Sequence, residues 1–137
     1  LGGSLSCVDI LIYIFNRYIF NNTKNKFILS KGHCALSLYA VLHHAKKISQ
    51  KNFYSFSCQG SYFGEHSSPK IKNKFMHFST GSLGHGLSFG SGIAHSKKLK
   101  NDNGLVFVLM GDGEMNSGTV WESAMLSSKL KLENVGS

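Results

Sequence analysis

The sequence predicts an α/β fold, a parallel sheet flanked by helices. Stretches with apolar residues at spacings of three and four alternate with short, continuous apolar runs. Two of those runs, Phe27-Ile28-Leu29 and Leu105–Met110, suit short buried strands, and the second is apolar enough for cover on both faces. A chain of 137 residues with 42% hydrophobic content can bury a real core as one domain, residues 1–137.

The elements follow in order. Val8, Leu11, Ile12, Phe15 and Ile19 mark an amphipathic helix over about residues 6–20, with Ser6 and Asp9 in capping-box spacing. Asn21-Asn22-Thr23 ends it, and Phe27–Leu29 is extended. Gly32-His33 opens a second helical pattern to about Lys47, with Leu36, Tyr39, Ala40 and Leu42 on one side. A short helix is expected around Ser49–Phe56. Residues 57–80 are polar and irregular and hold Pro69, the chain's one proline; so long a loop is usually functional or poorly ordered. Leu83–Leu99 reads as a helix carrying Gly86, Gly90 and Gly92. Each glycine there costs about 1 kcal/mol relative to alanine, so something must approach that backbone closely. Val120, Ala124, Met125 and Leu130 mark a last amphipathic helix after the Leu105–Met110 strand.

Composition narrows the function. Fifteen Lys+Arg against seven Asp+Glu give a net charge of +8, which suits a solvated basic surface or an anionic partner. The lysines are scattered and Arg17 is the only arginine, which argues against direct readout of nucleic acid. Cys7, Cys34 and Cys58 are odd in number and form no CxxC pair, as expected of reduced thiols in a cytoplasmic protein. Asn16 and Arg17 interrupt the apolar stretch Ile10–Phe20 too early for a membrane span, and no signal-peptide pattern is visible.

Four stretches could carry chemistry. Ser30-Lys31-Gly32-His33 puts a histidine where ligands meet the carboxyl edge of a parallel sheet, although a histidine bonded within a turn would look the same. Gly64-Glu65-His66 lies in the long loop, where a lone histidine usually faces solvent. Ser79–Gly86 contains Gly81, Gly84 and Gly86 ahead of a helix; its N–H groups can face an anion, or it can be a tight turn feeding a closely packed helix. It matches neither GxGxxG nor GxxxxGK[ST]. The last stretch is Gly111-Asp112-Gly113. A carboxylate at the end of a buried strand can hold a divalent cation, and Gly113 lets backbone approach a phosphate; an ordinary strand–turn–helix connection is the alternative.

Taken together and in order, LGGSLSCVDIL, FILSKGHCALSLYAVL, STGSLGHGLSFGSGIA and GDGEMNSGTVWESAM resemble the N-terminal part of transketolases, above all the split-gene form whose diphosphate-binding half is a separate polypeptide. The resemblance covers nearly the whole chain. It implies a thiamine-diphosphate-binding (PP-type) domain, with Asp112 ligating Mg²⁺ or Ca²⁺ and Gly111, Gly113 and Glu114 along the diphosphate. It places Gly81 and Leu83 along the aminopyrimidine, His33 near the diphosphate and reacting carbons, and His66 and His85 among the catalytic histidines. The implied reaction is transfer of a two-carbon ketol unit between sugar phosphates, with a C-terminal subunit carrying the pyrimidine-binding domain as partner in a homo- or hetero-oligomer.

Departures from the family pattern set further expectations. The family's opening histidine would precede Leu1, and the asparagine that joins Asp112 on the metal would lie beyond Ser137, so the domain is expected to be incomplete at its C-terminus and not competent by itself. Ser117 stands where the family usually has a glutamate at the subunit contact, and the loop around Pro69–Lys74 lacks the usual Pro-Gly. A deoxyxylulose-phosphate synthase, a degenerate non-catalytic interaction module and a basic nucleic-acid binder are the competing readings.

Overall fold

The computed structural model describes residues 2–61, 63–65, 74–79 and 81–136. Three parallel strands, β1 (Lys26–Leu29), β2 (Val106–Leu109) and β3 (Val135–Gly136), form one sheet in that order. β1 and β2 pair from Lys26 opposite Val106 to Leu29 opposite Leu109, and Val135 of β3 lies against Val106. The two expected strands are present. β3 has two residues, too few to leave a pattern in the sequence.

Helices cover both faces of the sheet, which is why its strands read as unbroken apolar runs. Alternation divides them. Phe27 and Leu29, with Phe107 and Leu109, pack into a core shared with α2 (Val8–Ile14) and α3 (Ala35–His44). Ile28, Val106 and Val108 pack oppositely, into a core shared with α5 (Gly86–Leu99) and α6 (Gly118–Lys129). Two short helices, α1 (Gly2–Leu5) and α4 (Gln50–Tyr54), complete the set, and Ser49 caps α4 by accepting from Asn52 N at 3.2 Å.

The first helix departs from expectation in three ways. The Ser6 hydroxyl donates to Gly3 O at 2.8 Å instead of capping, so α2 starts at Val8 without a side-chain cap. Phe15–Ile19 is π-helical, with Phe20 N donating to Phe15 O at 2.9 Å. The buried residues are Leu11, Phe15 and Ile19, strictly four apart; an α-helix drifts by about 40° over each such step, and the wider π turns offset that drift. Ile12, expected on the buried face, is 43% exposed.

α3 is buried more broadly than one stripe, since Ala35, Ser37, Leu38, Tyr39, Val41 and Leu42 are all buried. It packs against α1, α2 and α4. In α6, Val120 and Ser123 face inward while Met125 is 65% exposed, so the expected apolar side is rotated. The serine points inward because it bonds Ser88 of α5 across the helix contact. Among residues 57–80, those described contain neither helix nor strand; His66 and Pro69 lie outside the described residues.

The glycines of α5 do what their cost suggested. A Cβ on Gly86 would collide with Ser30 at the end of β1, and one on Gly90 would sit 2.5 Å from Val108 Cγ2 on β2. The helix lies on the sheet at backbone distance. Gly92 faces open space and takes no part in that approach.

Candidate functional site

Close packing of α5 on the sheet draws three loops to the carboxyl end of β1 and β2. After β1, Ser30 N and Lys31 N both donate to Leu109 O, at 2.8 and 3.3 Å, so the chain hugs the end of β2. A 3₁₀ turn, Gly32–Cys34, then leads into α3. His33 is exposed on that turn, and its ring lies over α1: a Cβ on Gly3 would be 3.3 Å from His33 Cδ2. Its neighbour Cys34 is buried and donates to Gly3 O at 2.9 Å. Burial first, and Cys7 second, push the Cys34 thiol up to about 11. A thiol raised in this way favours its protonated form near neutrality.

The glycine-rich loop comes next. Gly84 adopts φ +84, and a Cβ there would lie 2.5 Å from Ser117 Oγ and 2.8 Å from Thr119 Oγ1. Both backbone sign and space demand glycine. Thr119 Oγ1 donates to Gly84 O at 3.0 Å and pairs with Ser117 Oγ at 2.7 Å, which ties the loop to the start of α6. Gly81, Leu83 and His85 are exposed, with His85 at the N-cap position of α5 but making no side-chain cap bond.

The third loop follows β2. Asp112 precedes a 3₁₀ turn, Gly113–Asn116, and its carboxylate makes no cap bond and is exposed. A Cβ on Gly113 would meet nothing within 4 Å, whereas one on Gly111 would lie 3.7 Å from Lys31 Cε. An uncommitted carboxylate is a hard oxygen donor of the kind Mg²⁺ or Ca²⁺ takes, and the open main chain at Gly113 leaves room for phosphate oxygens. Lys31 brings positive charge to the same edge. These residues fit a diphosphate carried with a divalent cation. Among the described residues, no three His, Cys, Asp or Glu side chains gather into a metal cluster, so Asp112 stands as a single carboxylate.

Glu114 faces the other way. Its side chain is 2% exposed and accepts from Ser30 Oγ at 2.6 Å, Gly84 N at 2.9 Å and Gly111 N at 2.8 Å. The residue as a whole is buried and its carbonyl accepts from Ser117 N at 3.0 Å, so Glu114, expected among the cofactor contacts, does not line an open surface. The sequence pattern gives no sign of this, because Ser30 and Gly84 are 84 and 30 positions away.

A parallel sheet with helices on both faces, whose strand ends hold an exposed carboxylate and glycine-opened backbone, defines an α/β domain, a class in which ligands generally bind at the carboxyl edge. Residues 2–136 match the family described as "Transketolase, thiamine diphosphate binding domain", and the chain belongs to it. Two similar proteins are named as single subunits of an apulose-4-phosphate transketolase. The chain is 34% identical over 98% of its length to the one from Phocaeicola vulgatus, and 33% identical over 98% to the one from Actinobacillus succinogenes. Those matches take in 50% and 51% of the two relatives, so the chain spans about half the length of each. Human transketolase is 34% identical over 95% of the chain, which covers 22% of that protein. No described helix is long and apolar enough to cross a membrane.

Proposed function

We propose that this chain forms the diphosphate-binding half of a transketolase-type transferase, holding thiamine diphosphate through a divalent cation for two-carbon ketol transfer between sugar phosphates. The observation that carries the reading is the exposed, uncapped Asp112 carboxylate at the end of β2, beside the open backbone of Gly113. Asp112 ligates Mg²⁺ or Ca²⁺. Gly111 and Gly113 lie along the diphosphate, and Gly81 and Leu83 along the aminopyrimidine. When bound, thiamine diphosphate supplies the nucleophilic carbon and the electron sink for the transfer.

The chain's own residues bind, orient and move protons. His33 and His85, exposed on the turn before α3 and the cap of α5, give and take protons at sugar hydroxyls, the general acid–base work that imidazole most often does. His66 is proposed for the same role. The +8 balance draws sugar phosphates to the edge. The domain that activates the aminopyrimidine comes from a partner polypeptide. The bacterial relatives support this reading, since each is named as one subunit of its transketolase.

Thermal unfolding with thiamine diphosphate and Mg²⁺ together, and with each alone, tests the binding half. At a hundredfold excess over Kd the pair adds about 2.7 kcal/mol, a rise on the order of 10 °C for a domain of this size. Asp112→Ala should abolish the metal-dependent part while leaving the unliganded midpoint nearly unchanged. Absence of a metal-dependent shift with both ligands in hundredfold excess overturns the proposal.

A further inference from the structure

Glu114 is the one carboxylate that all three site loops share. Its Oε2 takes the Ser30 hydroxyl from the loop after β1 and the Gly84 N–H from the glycine-rich loop; its Oε1 takes the Gly111 N–H from the loop after β2. Other bonds and contacts among the described residues hold the loops as well: Ser30 and Lys31 donate to Leu109 O, Thr119 donates to Gly84 O, and Gly86 packs on Ser30. All three partners donate, and an ionised carboxylate only accepts, with about four lone-pair sites, so every donor is matched. Such bonds to a charged acceptor are about twice as strong as neutral ones.

We propose that Glu114 is a positioning residue, a buried clamp that fixes the Gly81–Gly86 loop against the Gly111–Gly113 turn so that both present their backbone to one ligand. It acts through Gly84 and Gly111 and does not touch the ligand with its side chain. The inference rests on the cofactor reading for what the edge binds, but the clamp itself is observable without any ligand.

Glutamine has nearly the same shape and one fewer acceptor. With its carbonyl oxygen toward Ser30 and Gly84, its NH₂ meets the Gly111 N–H. Turned over, the NH₂ meets Gly84 N–H, while Ser30 can rotate and accept. Either way, one glycine N–H at the site faces a donor and its loop lets go.

The test has two arms. In the unaltered protein without ligand, the Gly84 and Gly111 amides, although in loops, should exchange slowly with solvent and resonate downfield. In E114Q at least one of them should exchange faster and move upfield. In titration calorimetry with thiamine diphosphate and Mg²⁺, E114Q should bind on the order of ten- to a hundredfold more weakly. A core variant remote from the edge, Leu42→Ala, should lose stability but keep its affinity when measured on folded protein. Ser30→Ala, which leaves both amide bonds, should bind within a few-fold of the unaltered chain.

Should E114Q not fold, the amide measurements on the unaltered protein still decide: exchange at the unprotected rate at both glycines overturns the clamp. Unchanged affinity and amide shifts in E114Q overturn it too, as does an equal affinity loss in Leu42→Ala. Protected amides in a chain that binds no thiamine diphosphate would leave the clamp standing and remove the cofactor reading instead.

Discussion

Gly90 and Gly92 sit two residues apart in α5 and face opposite surroundings, so one substitution made at each separates packing from helix propensity. Replacing glycine by alanine in a helix interior stabilises by about 1 kcal/mol. At Gly92 nothing lies within 4 Å of the new methyl, so Gly92→Ala should realise that gain. At Gly90 the methyl would lie 2.5 Å from Val108 Cγ2, 3.5 Å from Ile28 Cδ1 and 3.7 Å from Val106 Cγ1. Val108 cannot turn aside easily: it is β-branched, buried, and set in β2 between β1 and β3. The helix must lift instead. Overpacking of this kind costs about 1–3 kcal/mol. Propensity cancels in the comparison, so Gly90→Ala should be less stable than Gly92→Ala by about that same 1–3 kcal/mol. Urea denaturation of both variants, with matched m-values, measures the difference. Equal midpoints for the two would refute the argument that α5 rests on the sheet at backbone distance.

Two further outcomes concern stability. Phe15 is fully buried, with ring centroids 4.9 Å from Phe27, 5.3 Å from Phe20 and 6.2 Å from Phe75, so Phe15→Ala should cost about 3–5 kcal/mol in chemical denaturation. The acid limb of stability has two named contributors. A hydrogen bond from Lys97 and another from Gly104 N hold the Asp102 carboxyl below its usual range, and burial followed by the Lys26 charge lowers His77. Both folded-state values are depressed, so each group's contribution is full above its unfolded pKa, and is lost as pH falls through the folded one. Stability should first decline below about pH 6.5 from His77 and again below about pH 4 from Asp102. Asp102→Asn should flatten only the second decline, and a second decline unchanged in that variant would remove the Lys97 pairing as its cause.

Much of this protein was legible in local pattern. The two longer strands, the glycine-rich helix and the four stretches of the resemblance need only the sequence, because strand and helix periodicities and turn glycines act within a few residues. Gly86 and Gly90 even announced a close approach, though not its partners. Local pattern failed where a competing bond or the packing of other elements decided. Ser6 gave up its cap position for a carbonyl in the preceding turn, Ile12 and Met125 were left outside faces set by the packing of other helices, and the strict spacing of Leu11, Phe15 and Ile19 called for π turns. The order of residues was enough for the kind of fold and the succession of its elements. That Asp112 looks out while Glu114 looks in was settled by long-range contacts added to the local Gly111 N–H. The choice depends on Ser30 and Gly84, donors brought from far along the chain, and a buried carboxylate is tolerable only where such donors meet it.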